Sequence, residues 1–96
     1  MSSDPKRIQI LKRAAEVTGG ERQDSYGPVK DNLSNIAEFW QTYLTQRNGT
    51  PVMVEAEDVA WMMVLLKSAR SFAGGYHEDN YVDAAAYAAI AGECAE

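Results

Sequence analysis

The chain has 96 residues, 46% of them hydrophobic and 24% charged, which is the make-up of one globular domain too short to enclose two independent cores. No apolar run approaches the ~20 residues of a membrane helix, the first residues lack the apolar stretch of a signal peptide, and the single cysteine, Cys94, excludes a disulfide framework or a cysteine-rich zinc site; the expected location is the cytoplasm. The formal net charge of −5 is uneven, because residues 1–30 carry +2 while residues 31–96 carry −7, and an acidic body argues against duplex nucleic acid as a partner.

The hydrophobic pattern is helical throughout and predicts a single all-α domain over residues 1–96, a compact bundle of about four helices. The first helix runs from about Asp4 to Thr18, capped by Ser3 or Asp4, with Pro5 in its first turn and Ile8, Leu11 and Ala15 as its apolar stripe. Gly19-Gly20 ends it. Residues 21–28, Glu21 to Pro28, are polar and aperiodic, and a loop of that length in so small a domain points to function.

The second helix starts from a cap at Asp31 and runs to about Gln46, with Leu33, Ile36, Ala37, Trp40 and Leu44 on one face. Asn48-Gly49-Thr50-Pro51 stops it, and the β-branched cluster that follows, Pro51 to Val54, is too short to build a sheet. The third helix, Ala56 to Ala73, holds eight successive uncharged residues from Val59 to Leu66 that cover its whole circumference. A helix apolar all round must be covered on all sides. Three short neighbours can hardly do so, and the expected cover is a second copy, making a homo-oligomer (dimer or tetramer). The fourth helix runs from Asp79, as cap, to about Ala95, and its alanines at 84–86 and 88–89 permit close helix approach.

Two groups of charges stand out. Glu55, Glu57 and Asp58 open the third helix; Asp79 and Asp83 open the fourth. At 100° per residue Asp79, Asp83 and Tyr87 step round the helix by about 40° each, on a stripe that also holds Ile90. Asp79 then either caps its helix while Asp83 pairs with Lys67 or Arg70, or the two acids contribute to a magnesium site. Lys67 and Arg70, about 60° apart, end the apolar third helix. They favour its C-terminus by ~0.3–1 kcal/mol each, or they line a pocket and pair with phosphate. Asp58 lies about 180° from Lys67 on an apolar stripe and needs a partner, for which Arg22 is a candidate. In the polar loop, Arg22 and Tyr26 suit phosphate contact and base stacking, or the segment is a turn fixed by Gly27-Pro28. His77 reads as a surface loop residue. There is no P-loop, G-x-G-x-x-G or Ser-His-Asp pattern.

The series Arg22-Gln23-x-x-Tyr26-Gly27, Asn32, Ile36-Ala37-x-x-Trp40, then Glu57-Asp58-Val59-Ala60-x-Met62-Met63-x-Leu65-Leu66-Lys67-x-Ala69-Arg70 and Asp79-x-x-x-Asp83-x-x-x-Tyr87 resembles a small domain family of unknown function encoded mainly by tailed phages. The likeness spans roughly residues 8–92. That family is distantly similar to the all-α, MazG-like nucleotide pyrophosphohydrolases, helical oligomers that bind nucleotides at subunit interfaces and use Mg²⁺. Those enzymes hold metal with Glu-x-x-Glu on one helix and Glu-x-x-Asp on the next. Glu55-x-x-Asp58 matches the second half, but the second helix offers only Asp31 and Glu38. A site short of half its carboxylates loses the charge stabilisation on which phosphoryl transfer depends.

The resemblance therefore implies binding without hydrolysis, with no catalytic residue, metal or other cofactor. By analogy with small helical phage proteins that act as nucleotide sponges, the expected function is anti-defence: sequestering a nucleotide immune signal, such as the cyclic dinucleotides of CBASS, in the host cytoplasm. Arg22, Tyr26, Lys67, Arg70, Asp83 and Tyr87 are the expected ligand contacts. The alternatives are a Mg²⁺-dependent MazG-like nucleoside triphosphate pyrophosphohydrolase using Glu55, Asp58, Asp79 and Asp83, and a structural or protein-interaction module that uses the third helix only for assembly.

Overall fold

A computed structural model of the chain describes residues 3–19 and 28–96, which form four helices and no strand. The all-α expectation holds for these residues. The first helix, α1, spans Lys6–Gly19 and starts two residues later than expected, where the Pro5 carbonyl accepts the N–H groups of Ile8 and Gln9. Its packed face is also different. Ile10, Ala14 and Val17 pack inward, while Leu11 and Ala15 of the expected stripe are exposed. Both sets have helical spacing, and the neighbouring Val82 and Ala86 select the first.

Helix α2, Val29–Asn48, begins one turn earlier than the expected cap: Pro28 occupies the cap position and Asp31 lies in the first turn. Its core face is the expected one, with Leu33 and Ala37 buried and Ile36, Trp40 and Leu44 packed beside them. The helix ends at Gly49, whose left-handed φ of 82° lets its N–H reach the Thr45 carbonyl. The following connector is tied back to α2. Thr45 Oγ1 accepts the Val52 N–H at 3.0 Å, and Gln41 Oε1 accepts the Val54 N–H at 2.9 Å, which seats Val54 in the core.

Helix α3 spans Ala56–Ala73 and α4 spans Glu78–Ala95, with His77 rather than Asp79 at the N-cap position of α4. They form an antiparallel hairpin, the most extensive pairing in the fold. Helix α2 packs on α3, and α1 packs on α4 in the same direction, with Lys6 paired to Glu78 at 2.9 Å at their shared start. Helices α1 and α2 do not pack on each other.

Two separate cores result. Leu33, Ala37, Val54, Val59, Ala60 and Ala91 fill one, between α2, α3 and the end of α4. Ala14, Val82 and Ala86 form the other, between α1 and the start of α4. Among the described residues, alanine supplies six of the ten buried hydrophobic residues, and Val59 and Val82 are the largest fully buried side chains. The expected compact bundle is instead elongated, 54 × 31 × 23 Å, with a radius of gyration of 15.2 Å. About 12.5 Å would fit a compact domain of this length. Because α1 packs only on α4 among the described helices, it extends the molecule and does not close it.

Within the chain, α3 buries only Ala56, Val59 and Ala60. Trp61, Met62, Leu65, Leu66 and Phe72 are exposed, Leu65 by 66% and Phe72 by 91%. The circumferentially apolar helix is thus half-covered by its own chain. Among the described residues, no helix is long and apolar enough to cross a membrane.

Candidate ligand-binding groove

Since α1 and α2 stand apart, the surface between them is a groove floored by α3 and α4. It encloses about 340 Å³, within the range of small-ligand sites. Its apolar walls come from Leu33, Ile36 and Trp40 on α2, Val59 and Met63 on α3, and Ile90 on α4. Among the described residues, four polar side chains line the same space: Thr18 at the end of α1, Asn32 near the start of α2, and Asp83 and Tyr87 on α4. Of the stripe expected from helical spacing, Asp79, Asp83, Tyr87 and Ile90, the last three form one wall of this groove and Asp79 does not.

Lys67 Nζ reaches Asp83 Oδ2 at 3.1 Å across the α3–α4 hairpin. Only 14% of the lysine side chain and 30% of the aspartate side chain remain exposed. The pair settles which cation partners Asp83, because Arg70 is exposed on the last turn of α3 and outside the groove lining. Thr18 Oγ1 donates to the Ala15 carbonyl. The amide of Asn32 and the hydroxyl of Tyr87 make no hydrogen bond to another described side chain or backbone group. Arg22 and Tyr26 lie outside the described residues.

The other acids have roles of their own. Glu55 is the N-cap of α3, and its side chain accepts the N–H of Asp58; Asp58 Oδ2 accepts the Glu55 N–H at 2.8 Å. This reciprocal capping box satisfies two of the unpaired N–H groups at the helix start. It also gives Asp58 a partner at its own helix start, while Arg22, the candidate expected from the sequence, lies outside the described residues. Asp79 is exposed and pairs with Arg13 of α1 at 3.6 Å, so it neither caps α4 nor lines the groove. Nine residues separate Asp58 from Lys67, about 13 Å of helix, so the acids of α3 lie far from the Lys67–Asp83 pair. Among the described residues, no three His, Cys, Asp or Glu side chains converge as a metal site. Glu55, Asp58, Asp79 and Asp83 therefore do not fit a shared magnesium ion within one chain.

Asn32, Thr18 and Met63 were not singled out as contacts from the sequence. Asn32 carried a readable signal, a polar residue one turn from both Val29 and Ile36 on the shoulder of an apolar stripe. Thr18 had none.

Residues 9–95 match a family described as "Domain of unknown function (DUF6378)", and the chain belongs to that family. It is 43% identical over 83 residues to the Gene 55 protein of Mycobacterium phage L5, covering 86% of this chain and 50% of that protein. To the Gene 55 protein of Mycobacterium phage D29 it is 37% identical over 79 residues, covering 82% of this chain and 48% of the relative. The chain thus spans about half the length of these curated phage relatives. No solved structure matches it.

Proposed function

We propose that this domain is a binding subunit that takes a nucleotide base into the groove and holds it without turnover. In an infected cell it would sequester a nucleotide immune signal such as a cyclic dinucleotide. The observation that carries this reading is the groove itself, apolar on three helices and supplied with an amide and a hydroxyl that have no partner among the described residues, on the same lining as the Asp83 carboxylate. Trp40 and Tyr87 offer aromatic surface for a base. Arg70 lies seven residues beyond Met63, about 20° away and roughly 10 Å along α3, which suits a phosphate trailing out of the groove. Lys67 contributes through Asp83, and Arg22 and Tyr26 remain proposed contacts from the segment that joins α1 to α2. The acids that resemble half of a hydrolase site serve as a helix cap, which favours holding over hydrolysis.

The subunit is proposed to work as a homo-oligomer. Trp61, Leu65 and Phe72 lie within about 40° of each other on α3 and leave an apolar strip in water. A core built largely of alanine gives a single chain little stability to spare, so a second copy on this strip serves both needs.

Purified protein incubated with cyclic di-GMP or cyclic di-AMP should retain the dinucleotide through gel filtration and release it intact on heating. Cleaved product, or no retention of either, would overturn the reading. With a nucleoside triphosphate and Mg²⁺, release of pyrophosphate above background would favour the hydrolase instead.

A further inference from the structure

The polar groups of the groove are not interchangeable, and their chemistry restricts what enters. A carboxylate only accepts hydrogen bonds. Asp83 Oδ2 is engaged by Lys67 at 3.1 Å, and Oδ1 has no donor among the described residues. Asp83 can therefore accept a donor from whatever fills the groove, and its carboxylate disfavours an anion placed directly against it. Lys67 gives only partial compensation because it approaches the same carboxylate from the α3 side and does not itself line the groove. Phosphate is thus disfavoured at this wall, and a heterocycle with N–H groups on its edge is favoured.

The neighbouring groups sharpen the choice. Asn32 on α2 offers both a carbonyl and an NH₂, and Tyr87 on α4, one turn beyond Asp83, offers a hydroxyl that donates or accepts. Met63, Ile36 and Trp40 line the same groove and offer apolar surface for the faces of a flat ring. Among the common bases, guanine presents two adjacent donors, its ring N1–H and its 2-amino group, which match the two oxygens of one carboxylate. Its O6 is an acceptor for the amide of Asn32 or the hydroxyl of Tyr87. Adenine presents an unprotonated ring nitrogen at the equivalent position, which opposes a carboxylate lone pair with another lone pair.

We infer that the groove is a guanine-reading site, with Asp83 accepting from the base edge, Lys67 positioning that carboxylate, and Asn32 and Tyr87 flanking it. This inference rests on the nucleotide-binding reading above and adds the base. A matched pair of hydrogen bonds to a base edge is worth enough to discriminate by about tenfold or more.

The test uses the intact protein and three probes that share one backbone: cyclic di-GMP, cyclic di-AMP and cyclic di-IMP, whose hypoxanthine lacks the 2-amino group. Calorimetric titration should give cyclic di-GMP an affinity about tenfold above cyclic di-AMP, with cyclic di-IMP between them. In Asp83→Asn, folded by circular dichroism, the preference should shrink to within about threefold. Equal affinity for the three probes on the wild-type protein would overturn the inference while leaving nucleotide binding in place, and needs no variant. A guanine preference that survives Asp83→Asn would overturn the role of Asp83 in the same way. No binding of any probe would remove the nucleotide reading and this inference with it.

Discussion

Lys67 Nζ and Asp83 Oδ2, 3.1 Å apart, join the late turns of α3 to the early turns of α4 at the edge of the groove. The ion pair is partly withdrawn from water, with the lysine side chain 14% and the aspartate side chain 30% exposed. That places it between the surface pairs that contribute little and the buried ones whose disruption is costly. A double-mutant cycle with Lys67→Met and Asp83→Asn, read by urea denaturation, should give a coupling of about 1 kcal/mol. A coupling indistinguishable from zero would mean that the lysine does not position the carboxylate.

The Glu55–Asp58 capping box makes a separate prediction. Asp58→Ala leaves the Glu55 N–H unpaired at the start of α3 and should cost about 1 kcal/mol, visible as lost helicity and a lower thermal midpoint. Glu55→Ala should cost a similar amount, and the double variant less than the sum, since each half of the box supports the other. Mg²⁺ titration should produce the same calorimetric trace in wild type and in both variants. A magnesium isotherm that disappears on either substitution would restore these acids to a metal-binding role.

Leu65 separates self-assembly from intrinsic folding. At 66% exposure its side chain adds little to the isolated chain, so Leu65→Glu should change the stability of a monomer by no more than about 0.5 kcal/mol. If a second copy covers the strip, the same substitution buries a charge and should reduce the mass measured by light scattering to that of one chain. Val82→Ala is the contrasting change: fully buried in the smaller core, it should cost about 2 kcal/mol whatever the assembly state.

The pairing of Lys6 with Glu78 gives a pH dependence. The Lys6 hydrogen bond holds the Glu78 carboxyl below the usual glutamate range, and the same bond holds the Lys6 ammonium above its ordinary value. The folded carboxyl binds its proton less readily than the unfolded one. The contribution of Glu78 is therefore present above the ordinary glutamate pKa and lost as pH falls through the lowered folded value. The contribution of Lys6 is present below the ordinary lysine pKa and lost as pH rises through the raised folded value. The stability gap between wild type and Lys6→Gln should thus exist at pH 7 and close on acidification below pH ~4. A gap that persists at pH 2.5 would show that the lysine acts through its packing and not its charge.

The fold was largely legible because periodicity is a local property. The limits of α3 were readable from Ala56 to Ala73, and the face of α2 from Leu33, Ile36, Ala37, Trp40 and Leu44. The face of α1 was not. Ile8-Leu11-Ala15 and Ile10-Ala14-Val17 both satisfy helical spacing, and only the position of α4 decides between them. At the groove, Asp83, Tyr87 and Ile90 followed from angular arithmetic on one helix. The separation of Arg70 from Lys67 did not follow, because it depends on where α3 leaves the hairpin. Glu55-x-x-Asp58 was ambiguous for a physical reason: two carboxylates three apart at a helix start suit both a cation and the unpaired N–H groups of the first turn.

The two walls of the groove belong to different cores, and this gives a ligand a mechanical role. Val17 packs with the core of α1 and the start of α4, with Thr18 beside it, whereas Leu33 and Ile36 belong to the core of α2 and α3. Among the described residues, no helix-to-helix packing braces α1 against α2. A molecule lying between them acts as a strut, so binding should slow amide exchange in the last turn of α1 more than in the middle of α3. If α1 tilts on its small patch around Ala14, the gap should widen without disturbing Val59, and ligands of unequal breadth should then bind with similar affinity.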